Sequence, residues 1–441
     1  MSAAASASQN HLLRLLGVTF GVAVTVGTMI GSGILRSPNL IAAGVPDTAI
    51  ILALWVFGAV HAALGANLFA ELGTAVPQAG GPYVFAHRAF GDVGGLVVGW
   101  AVWISNCAGS AAASASFANF LPLLWPWAGD HQIGVAVAMQ AALYIGNVAG
   151  LREGRAFQEI TSLIKAVMLF VFIVAAICVA DPHASAATAS HPVAAAFGMA
   201  AIVGSYRMIR GAYSGWDAPV FFSEENVSPG ATIPKALGIG LLATSILYIG
   251  VNAALLYALG PAGVAATPLP FSTVLAKLGG AVPATLFALT AMITVASCAN
   301  ANIMGAPRVI YSLSRDKLLP NIFQRVNTGG SPVFAFALTA VLTLGLAASG
   351  TFSTVFALIG TLNTATGVLV TIAFFVLRWR EPGLARPFRA LGYPVLPALL
   401  LIIDLVLFGL FSISDTKGVL FALALAAACV PFAWIAHRAR R

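Results

Sequence analysis

The sequence predicts an all-α integral membrane protein of about twelve transmembrane helices, two of which are discontinuous. Hydrophobic residues make up 59% of the 441 residues and charged residues only 8%, a balance typical of membrane proteins rather than soluble enzymes. Apolar runs long enough to cross a bilayer, about 20 residues each, recur along nearly the whole chain. They cover residues 15–43, 49–74, 93–121, 132–150, 157–180, 195–223, 235–260, 280–307, 333–350, 352–377, 392–413 and 418–436. No long polar segment separates them, so we expect no soluble domain.

Positive charges are distributed unevenly between the loops. If the N-terminal tail at residues 1–14 is cytoplasmic, only Lys277 and Lys417 fall in outer loops. The positive-inside rule then predicts that the C-terminal tail at residues 437–441 is cytoplasmic too. The first run is too long for a signal peptide and should remain a span. The basic residues on the cytoplasmic side are Arg14, Arg88, Arg152, Arg155, Lys235, Arg315, Lys317, Arg325, Arg378, Arg380, Arg386, Arg389, Arg438, Arg440 and Arg441.

Composition and motifs exclude several classes of function. The net charge of +8 follows from membrane topology and does not indicate nucleic-acid binding. The four cysteines lie within spans at no metal-ligand spacing and are interpreted as packing residues. The chain has no HExxH, no P-loop and no Gly-x-Ser-x-Gly. We therefore expect neither an enzyme nor an ATP-driven pump, and no cofactor or metal.

Glycine-rich stretches interrupt the first and the sixth apolar run, at residues 27–33 and 211–216. In lipid, non-helical backbone is tolerated only where protein or a water-filled cavity surrounds it. A pair of broken helices in corresponding positions of two halves indicates the binding site of a secondary transporter. Residues 15–182 and 195–378 would then form two inverted repeats of five helices, with the last two spans at 392–436 outside them.

Several motifs in a fixed order resemble the amino acid–polyamine–organocation (APC) superfamily. These are Gly31-Ser32-Gly33-Ile34, Gly80-Gly81-Pro82-Tyr83-Val84, Phe90-Gly91, Gly215-Trp216-Asp217, Glu224-Glu225, Pro229, Pro234-Lys235-Ala236, Arg308-Val309-Ile310-Tyr311, Arg315-Asp316-Lys317-Leu318-Leu319-Pro320, Leu377-Arg378-Trp379-Arg380-Glu381-Pro382, Arg386-Pro387-Phe388-Arg389 and Tyr393-Pro394. The chain is similar to L-type amino acid transporters, proton-coupled bacterial permeases and arginine/agmatine exchangers. The resemblance implies the leucine-transporter fold, with two five-helix inverted repeats, and amino acids or related amines as substrates.

The two breaks are the predicted substrate site. N–H groups at a half-helix start suit a carboxylate, and freed carbonyls at a half-helix end suit an ammonium. Ile30, Gly31, Ser32 and Gly33 would supply the former, and residues 211–215, with Ser214 and Gly215, the latter. In similar transporters these stretches hold the main-chain groups of the substrate. The alternative for Gly27 and Gly31 is a GxxxG helix-packing face.

Three side chains near the breaks have both a functional and a structural interpretation. Tyr213 and Trp216 flank the second break and would cover the substrate side chain as a gate. Each of them is otherwise a packing aromatic, and in similar proteins Trp216 belongs to a structural Gly-Trp pair. Asn106 lies in a stretch from which arginine/agmatine exchangers use an asparagine at the site. Its alternative is a hydrogen bond between helices.

Lys165 lies inside the fifth span, where a lysine is costly and therefore indicates a functional role. In related permeases a lysine at this place occupies the position of a sodium ion in sodium-coupled relatives. The resemblance thus implies sodium independence, with Ser297 as a neighbour on the eighth span. Lys165 either carries a proton or stays a fixed charge. The alternative is that it snorkels to the cytoplasmic surface.

Three arginines are predicted on the outer halves of the two broken helices: Arg36, Arg207 and Arg210. They would make an electropositive outer vestibule that favours acidic or other anionic amino acids. Gly211, where large neutral amino acid exchangers carry an aromatic residue, would leave more room. The alternative is that the arginines pair with Asp47, Asp217 or outer carbonyls.

Two further acidic sites have predicted roles near the end of the sixth span. Asp217 would cap or anchor the second half of that span. Glu224 and Glu225 would form ion pairs of an inner gate.

The predicted function is transport of a small-molecule amino acid substrate, by proton symport or by exchange. An ion channel or a non-transporting receptor would leave the paired breaks unexplained. We expect a multi-pass protein of the bacterial inner membrane, monomeric or homodimeric, in contact with membrane lipid and not with nucleic acid.

Overall fold

A computed structural model describes residues 17–78, 80–149, 154–179, 198–327, 332–349 and 352–431. The regular secondary structure of these residues is helical, joined by turns and loops, and an isolated bridge links Val326 and Pro332. The all-helical prediction is therefore confirmed for the described residues. The two predicted tails, 1–14 and 437–441, and the predicted boundaries at 182 and 195 lie outside them.

The described residues up to 179 contain six α-helices. They are α1 (Val18–Met29), α2 (Ser32–Gly44), α3 (Thr48–Ala75), α4 (Pro82–Phe120), α5 (Gln132–Ala149) and α6 (Gly154–Val179). The start of α3 is fixed by Asp47, whose side chain accepts a hydrogen bond of 2.9 Å from the backbone N–H of Ile50. The start of α4 has Pro82 in its first turn, where a missing N–H costs nothing, after Gly81 at φ 64°.

Nine further α-helices lie in the described residues from 198 onward. They are α7 (Met199–Ala212), α8 (Ala218–Phe221), α9 (Pro229–Ala265), α10 (Pro270–Gly279), α11 (Ala281–Arg315), α12 (Val333–Ala348), α13 (Phe352–Arg380), α14 (Val395–Ser414) and α15 (Thr416–Ala427). The long α4 and α9 each bend at a glycine with positive φ, Gly91 at 73° and Gly260 at 65°.

Eight stretches of the described chain are long and apolar enough to cross a membrane, counting α1 and α2 together as one. Two shorter apolar helices, Val333–Ala348 and Thr416–Ala427, accompany them. The outward face of α6 exposes large apolar side chains, among them Leu163, Phe170 and Val171. Such a face suits contact with lipid tails. A multi-pass membrane protein is thus confirmed, whereas the count of twelve spans and the inverted repeat stay predictions.

The broken helices lie at the centre of the bundle. Helix α1 packs against α6, α9 and α11, and α4 packs along α11 and α13. Small residues allow the close approach: a Cβ on Gly21 would lie 2.6 Å from the Cβ of Ala236, and one on Gly240 would lie 2.6 Å from Thr25. Close helix packing through small residues is the usual solution in membranes.

Ion pairs join the helix ends on the side of the bundle where α3 ends. The buried carboxylate of Glu71 accepts hydrogen bonds from Arg378 at 2.5 Å and from the backbone N–H of Ala390 at 2.6 Å, and Arg386 lies 3.1 Å away. Arg88 hydrogen-bonds to Glu381 and holds the pKa of that carboxyl below its usual range. These pairs tie α3, α4 and α13 together.

Candidate functional site

The first break separates α1 from α2. Ile30 and Gly31 have non-helical backbone angles, φ −73°, ψ 97° and φ −154°, ψ −144°. A Cβ on Gly31 would lie 2.5 Å from the Sγ of Cys298 on α11, so the close approach of that helix requires glycine. The break predicted at residues 27–33 is present.

The second break lies between the end of α7 at Ala212 and the start of α8 at Ala218. Gly215 has φ 96°, a conformation that favours glycine, and a Cβ there would lie 2.9 Å from the Cβ of Thr28. The hydroxyl oxygen of Thr28 lies 2.8 Å from the Gly215 carbonyl oxygen and 2.6 Å from that of Val24 in its own helix. The two breaks therefore touch each other directly.

The breaks leave backbone carbonyl groups without their usual partners within a helix, and side chains hydrogen-bond to these groups instead. The hydroxyl of Tyr248 on α9 reaches both breaks, at 2.5 Å from the Met29 carbonyl oxygen and 3.3 Å from that of Ala212. The Cys298 thiol lies 3.4 Å from the carbonyl oxygen of Thr28. A buried carbonyl without a partner is costly, so these bonds stabilise the non-helical backbone.

We expect the Tyr248→Phe variant to lower substrate affinity by roughly 5- to 30-fold, because two carbonyls at the breaks lose a buried donor. Affinity would be measured by radioligand binding to the purified protein. The matched control is Tyr257→Phe on the same helix, whose side chain is 41% exposed. Equal affinities of the Tyr248 and Tyr257 variants would contradict a role in shaping the breaks.

Lys165 is directed toward the first break. Its Nζ donates to the carbonyl oxygen of Gly27 at 2.6 Å, and the residue is completely buried. The amine therefore does not snorkel to the surface. One turn earlier, Thr161 accepts a hydrogen bond of 3.0 Å from the hydroxyl of Ser297. Ser297 thus joins α11 to α6 one turn from Lys165, through Thr161 rather than through the amine.

A cavity of about 140 Å³ lies where the two breaks meet. Its wall contains most of the residues predicted for the substrate site: Gly31, Ser32, Gly33, Asn106, Ser214, Gly215 and Trp216. Helix α2 begins at Ser32 without a side-chain cap, so the N–H groups of its first turn have no partner within the helix. The cavity therefore has a helix start on one side, with backbone N–H groups of the kind that suits an anion.

Two predicted substrate residues lie outside this wall. Ile30 is completely buried, and its N–H donates to Val26 at 2.9 Å to complete the last turn of α1. Tyr213 points away from the cavity and donates to the carbonyl oxygen of Trp55 at 3.2 Å. Its ring packs on those of Trp55 and Tyr248 at 5.8 and 5.3 Å. The structure thus places Tyr213 in the packing role that was the alternative to a gate.

Trp216 and Asn106 lie in the wall and also have partners in the protein. Trp216 meets Phe69 edge-to-face at 4.9 Å and lies over Gly65, where a Cβ would be 2.8 Å from its ring. The Asn106 amide donates to the Val102 carbonyl of its own helix at 3.1 Å. That bond leaves the amide oxygen of Asn106 as a polar group of the wall.

The three arginines predicted for an outer vestibule separate in the structure. Arg207 forms an ion pair with Asp415 at 2.8 Å, and Arg36 donates to the carbonyl oxygen of Pro268 at 3.1 Å. The backbone N–H of Gly418, aided by Arg207, holds the pKa of Asp415 below its usual range, so this carboxylate is charged at neutral pH. Arg210 alone of the three lines the cavity, and it donates to the carbonyl oxygen of Asn363 at 3.4 Å.

Two expectations near the second break require correction. The room expected beside Gly211 is filled by Phe356 of α13, whose ring would lie 2.9 Å from an added Cβ. Asp217 occupies the position before α8 but makes no side-chain capping bond, and it lines the cavity instead. Glu224 lies 3.7 Å from Arg315, whereas the side chain of Glu225 lies outside the described residues.

Sequence reasoning missed Asn363 on α13. Its amide donates to the hydroxyl of Ser214 in the second break at 2.8 Å, and its amide oxygen accepts from Ser105 of α4 at 2.8 Å. The side chain thus joins three elements around the cavity. The only available signal was an asparagine between two threonines inside an apolar run.

His61 and Asp404 are further cavity residues without a predicted role. His61 lies in the middle of α3 and Asp404 in the middle of α14. The imidazole Nε2 lies 3.0 Å from the Asp404 carboxylate, and Nδ1 lies 2.7 Å from the hydroxyl of Tyr206. Both residues line the same cavity as the two breaks.

Comparison with known proteins places this architecture in a family. The sequence model of the family described as "Amino acid permease" matches residues 16–435. The chain is similar to the serine/threonine exchanger of Bacillus subtilis, with 25% identity over 93% of both chains. It is also similar to the large neutral amino acids transporter small subunit 2 of Rattus norvegicus, with 24% identity over 96% of this chain and 80% of the relative. The branched-chain amino acid permease of Bacillus subtilis is 24% identical over 92% and 89%.

These relatives are transporters rather than enzymes, and their similarity extends over both breaks and the cavity between them. The chain belongs to the amino acid permease family of the APC superfamily.

Proposed function

We propose that this protein is a sodium-independent secondary transporter that moves amino acids across the membrane by alternating access. The observation that carries the proposal is the contact between the two helix breaks at a buried cavity, with the amine of Lys165 bound to the carbonyl oxygen of Gly27. Broken helices that meet at mid-membrane provide the opposite partial charges that a zwitterion needs. An amino acid is the simplest ligand with both charges.

The substrate carboxylate would lie at the start of α2. The N–H groups of Ser32, Gly33 and Ile34 lack partners within the helix, and Ser32 and Gly33 line the cavity. The substrate ammonium would face the carbonyls of the second break between Ala212 and Ala218. Trp216 and Asn106 would flank the substrate side chain. In a low-dielectric cavity each paired charge adds strongly to affinity, because the unpaired charge is costly.

The position of Lys165 supports the proposed sodium independence. Carbonyls released at a helix break are the groups that would coordinate a sodium ion. Here the amine of Lys165 already binds the Gly27 carbonyl, and Cys298 and Tyr248 bind those of Thr28 and Met29. The positive charge of the Lys165 amine therefore takes the place of the metal cation, either as a fixed charge or as a proton that is exchanged during transport.

Proton symport and amino acid exchange are both compatible with this site. One relative carries the name exchanger and another the name permease. The experiment is uptake of a panel of radiolabelled amino acids into proteoliposomes, with and without preloaded substrate and with an imposed pH gradient. Uptake into empty vesicles that follows the pH gradient indicates symport. Uptake that requires preloaded substrate and ignores pH indicates exchange. Absence of saturable uptake under every condition contradicts transport and supports a receptor.

A second candidate substrate class is acidic or other anionic amino acids. Arg210 is the observation that favours it, because it lines the cavity and its buried Nε has no hydrogen-bond partner among the described residues. A second carboxylate on the substrate would supply that partner. Arg207 and Arg36 contribute less, since Asp415 and the Pro268 carbonyl already bind them.

The Arg210→Ala variant tests this candidate. If the substrate is acidic, we expect its apparent affinity to fall at least about tenfold while that for neutral amino acids changes little, since a charge-assisted hydrogen bond is lost. Competition of unlabelled aspartate, glutamate, serine and leucine against labelled substrate measures both. Arg207→Ala is the matched control on the same helix face. Unchanged preference in Arg210→Ala would exclude the acidic class.

The proposed setting is the bacterial inner membrane, with both termini cytoplasmic. The protein would act as a monomer or homodimer in contact with lipid, with no nucleic-acid partner. Exposed apolar side chains on α6 support contact with lipid.

A further inference from the structure

A histidine–aspartate pair lies buried in the middle of the bundle and faces the cavity. The Nε2 of His61 on α3 lies 3.0 Å from the Oδ1 of Asp404 on α14, and each side chain is only 2% exposed. Gly367 of α13 lets the carboxylate approach, because a Cβ there would lie 2.8 Å from its Oδ2. Both residues line the cavity that contains the two breaks.

Burying such a pair in the middle of membrane-spanning helices costs free energy. A carboxylate near the centre of a transmembrane helix is rare and indicates a functional site, with its partner part of that site. Neither residue of this pair has been assigned a role in the substrate site described above. Its imidazole has hydrogen-bond partners at both nitrogens, Asp404 and the hydroxyl of Tyr206, so its position is well defined. Imidazole is the side chain whose charge changes most readily near neutral pH.

The charges around the pair indicate what a proton would do there. From α7, Tyr206 bonds to His61 and Arg210 lines the same cavity, while α14 contributes Asp404. With a neutral imidazole, the positive Arg210 and the negative Asp404 balance. A proton on the pair leaves one net positive charge beside the cavity, which the second carboxylate of an acidic substrate, the group proposed above for Arg210, would offset. Proton and substrate would therefore favour each other's binding, and that coupling is reciprocal.

We propose that His61 and Asp404 form a proton-binding site that opens onto the substrate cavity and couples proton uptake to substrate binding. The inference rests on the proposed transport function and concerns its driving ion. A cavity of about 140 Å³ with polar groups in its wall is large enough for several waters, so a proton can reach the pair from the cavity. The proton site is then distinct from Lys165, which serves as the fixed charge at the first break.

The test compares His61→Gln and Asp404→Asn with the parent in proteoliposomes. We expect an inward pH gradient to stimulate uptake by the parent and to leave both variants unstimulated. Counterflow, in which labelled substrate enters against unlabelled substrate at equal pH, should persist in both variants but should no longer depend on the pH at which it is measured. The matched control is His87→Gln, which removes a histidine–aspartate pair of the same 3.0 Å length at the surface. It should behave as the parent.

Binding to purified protein provides a second readout that does not depend on transport. Substrate affinity of the parent should rise at acidic pH, and that of Asp404→Asn should be independent of pH. The proposal is overturned if either variant keeps the stimulation by the gradient, or if the affinity of the parent does not depend on pH. Counterflow by a parent that ignores pH would leave amino acid transport supported and refute the proton site alone. A parent without binding or counterflow would refute the proposed function itself.

Discussion

Replacing Lys165 with methionine is expected to reduce amino acid uptake at least about tenfold, because a charge-assisted hydrogen bond to the first break is lost and the Gly27 carbonyl is left buried. Methionine keeps the length of the side chain, so the packing of α6 against α1 should change little. Uptake and counterflow in sodium-free proteoliposomes provide the measurement. Both should fall, since the amine shapes the site in every transport mode.

The control for Lys165 is Lys277→Met, which removes an exposed lysine at the end of α10. It should leave uptake within about twofold of the parent, as surface substitutions usually do. Parent-like uptake by Lys165→Met would contradict the role of the amine at the break. Restoration of uptake in that variant by added sodium would show that the amine stands in place of a cation, and so would support the proposal.

Replacing Gly33 with alanine should remove substrate binding almost completely. An added Cβ would lie 2.6 Å from the Cα of Ala212 and 3.0 Å from the ring of Phe356, and backbone cannot yield as a flexible side chain does. The start of α2 and the end of α7 would be pushed apart, and the N–H groups offered to the carboxylate would move. We expect at least about a tenfold loss of affinity, in line with a displaced binding group.

Thermal stabilisation of the purified protein by substrate measures this loss. Gly305→Ala is the matched control, because Gly305 also lines the cavity but has nothing within 4 Å of an added Cβ. It should retain stabilisation by substrate. If Gly33→Ala binds substrate as tightly as Gly305→Ala, the close contact between the two breaks has no role in recognition.

Much of the fold and the outline of the site could be predicted because they depend on local sequence. Apolar runs indicate helices, and the glycines of 27–33 and 211–216 indicate breaks in them. A lysine inside an apolar run indicates a buried partner, found here in the Gly27 carbonyl. Each of these signals lies within a single helix and needs no knowledge of its neighbours.

Pairings between distant helices could not be predicted. Asn363 joins Ser105 and Ser214, and His61 meets Asp404 across 343 positions of the chain. A polar residue in an apolar run shows that a partner exists but not which one. The role of Tyr213 could not be predicted for the same reason. Its side chain could act as a gate or as a packing residue, and only its direction toward Trp55 in the structure decides between the two. The sequence around Arg207 also could not show that its partner is Asp415, because that residue follows a different span.

The most direct test of the central claim is counterflow of labelled amino acids in proteoliposomes with sodium fully replaced by potassium or choline. The two breaks, with Lys165 bound at the first, predict saturable counterflow in sodium-free medium that changes by no more than about twofold when sodium is added. It should be lost in both Lys165→Met and Gly33→Ala. Counterflow that appears only with sodium, or that survives both substitutions, would contradict a sodium-independent amino acid site at the two helix breaks.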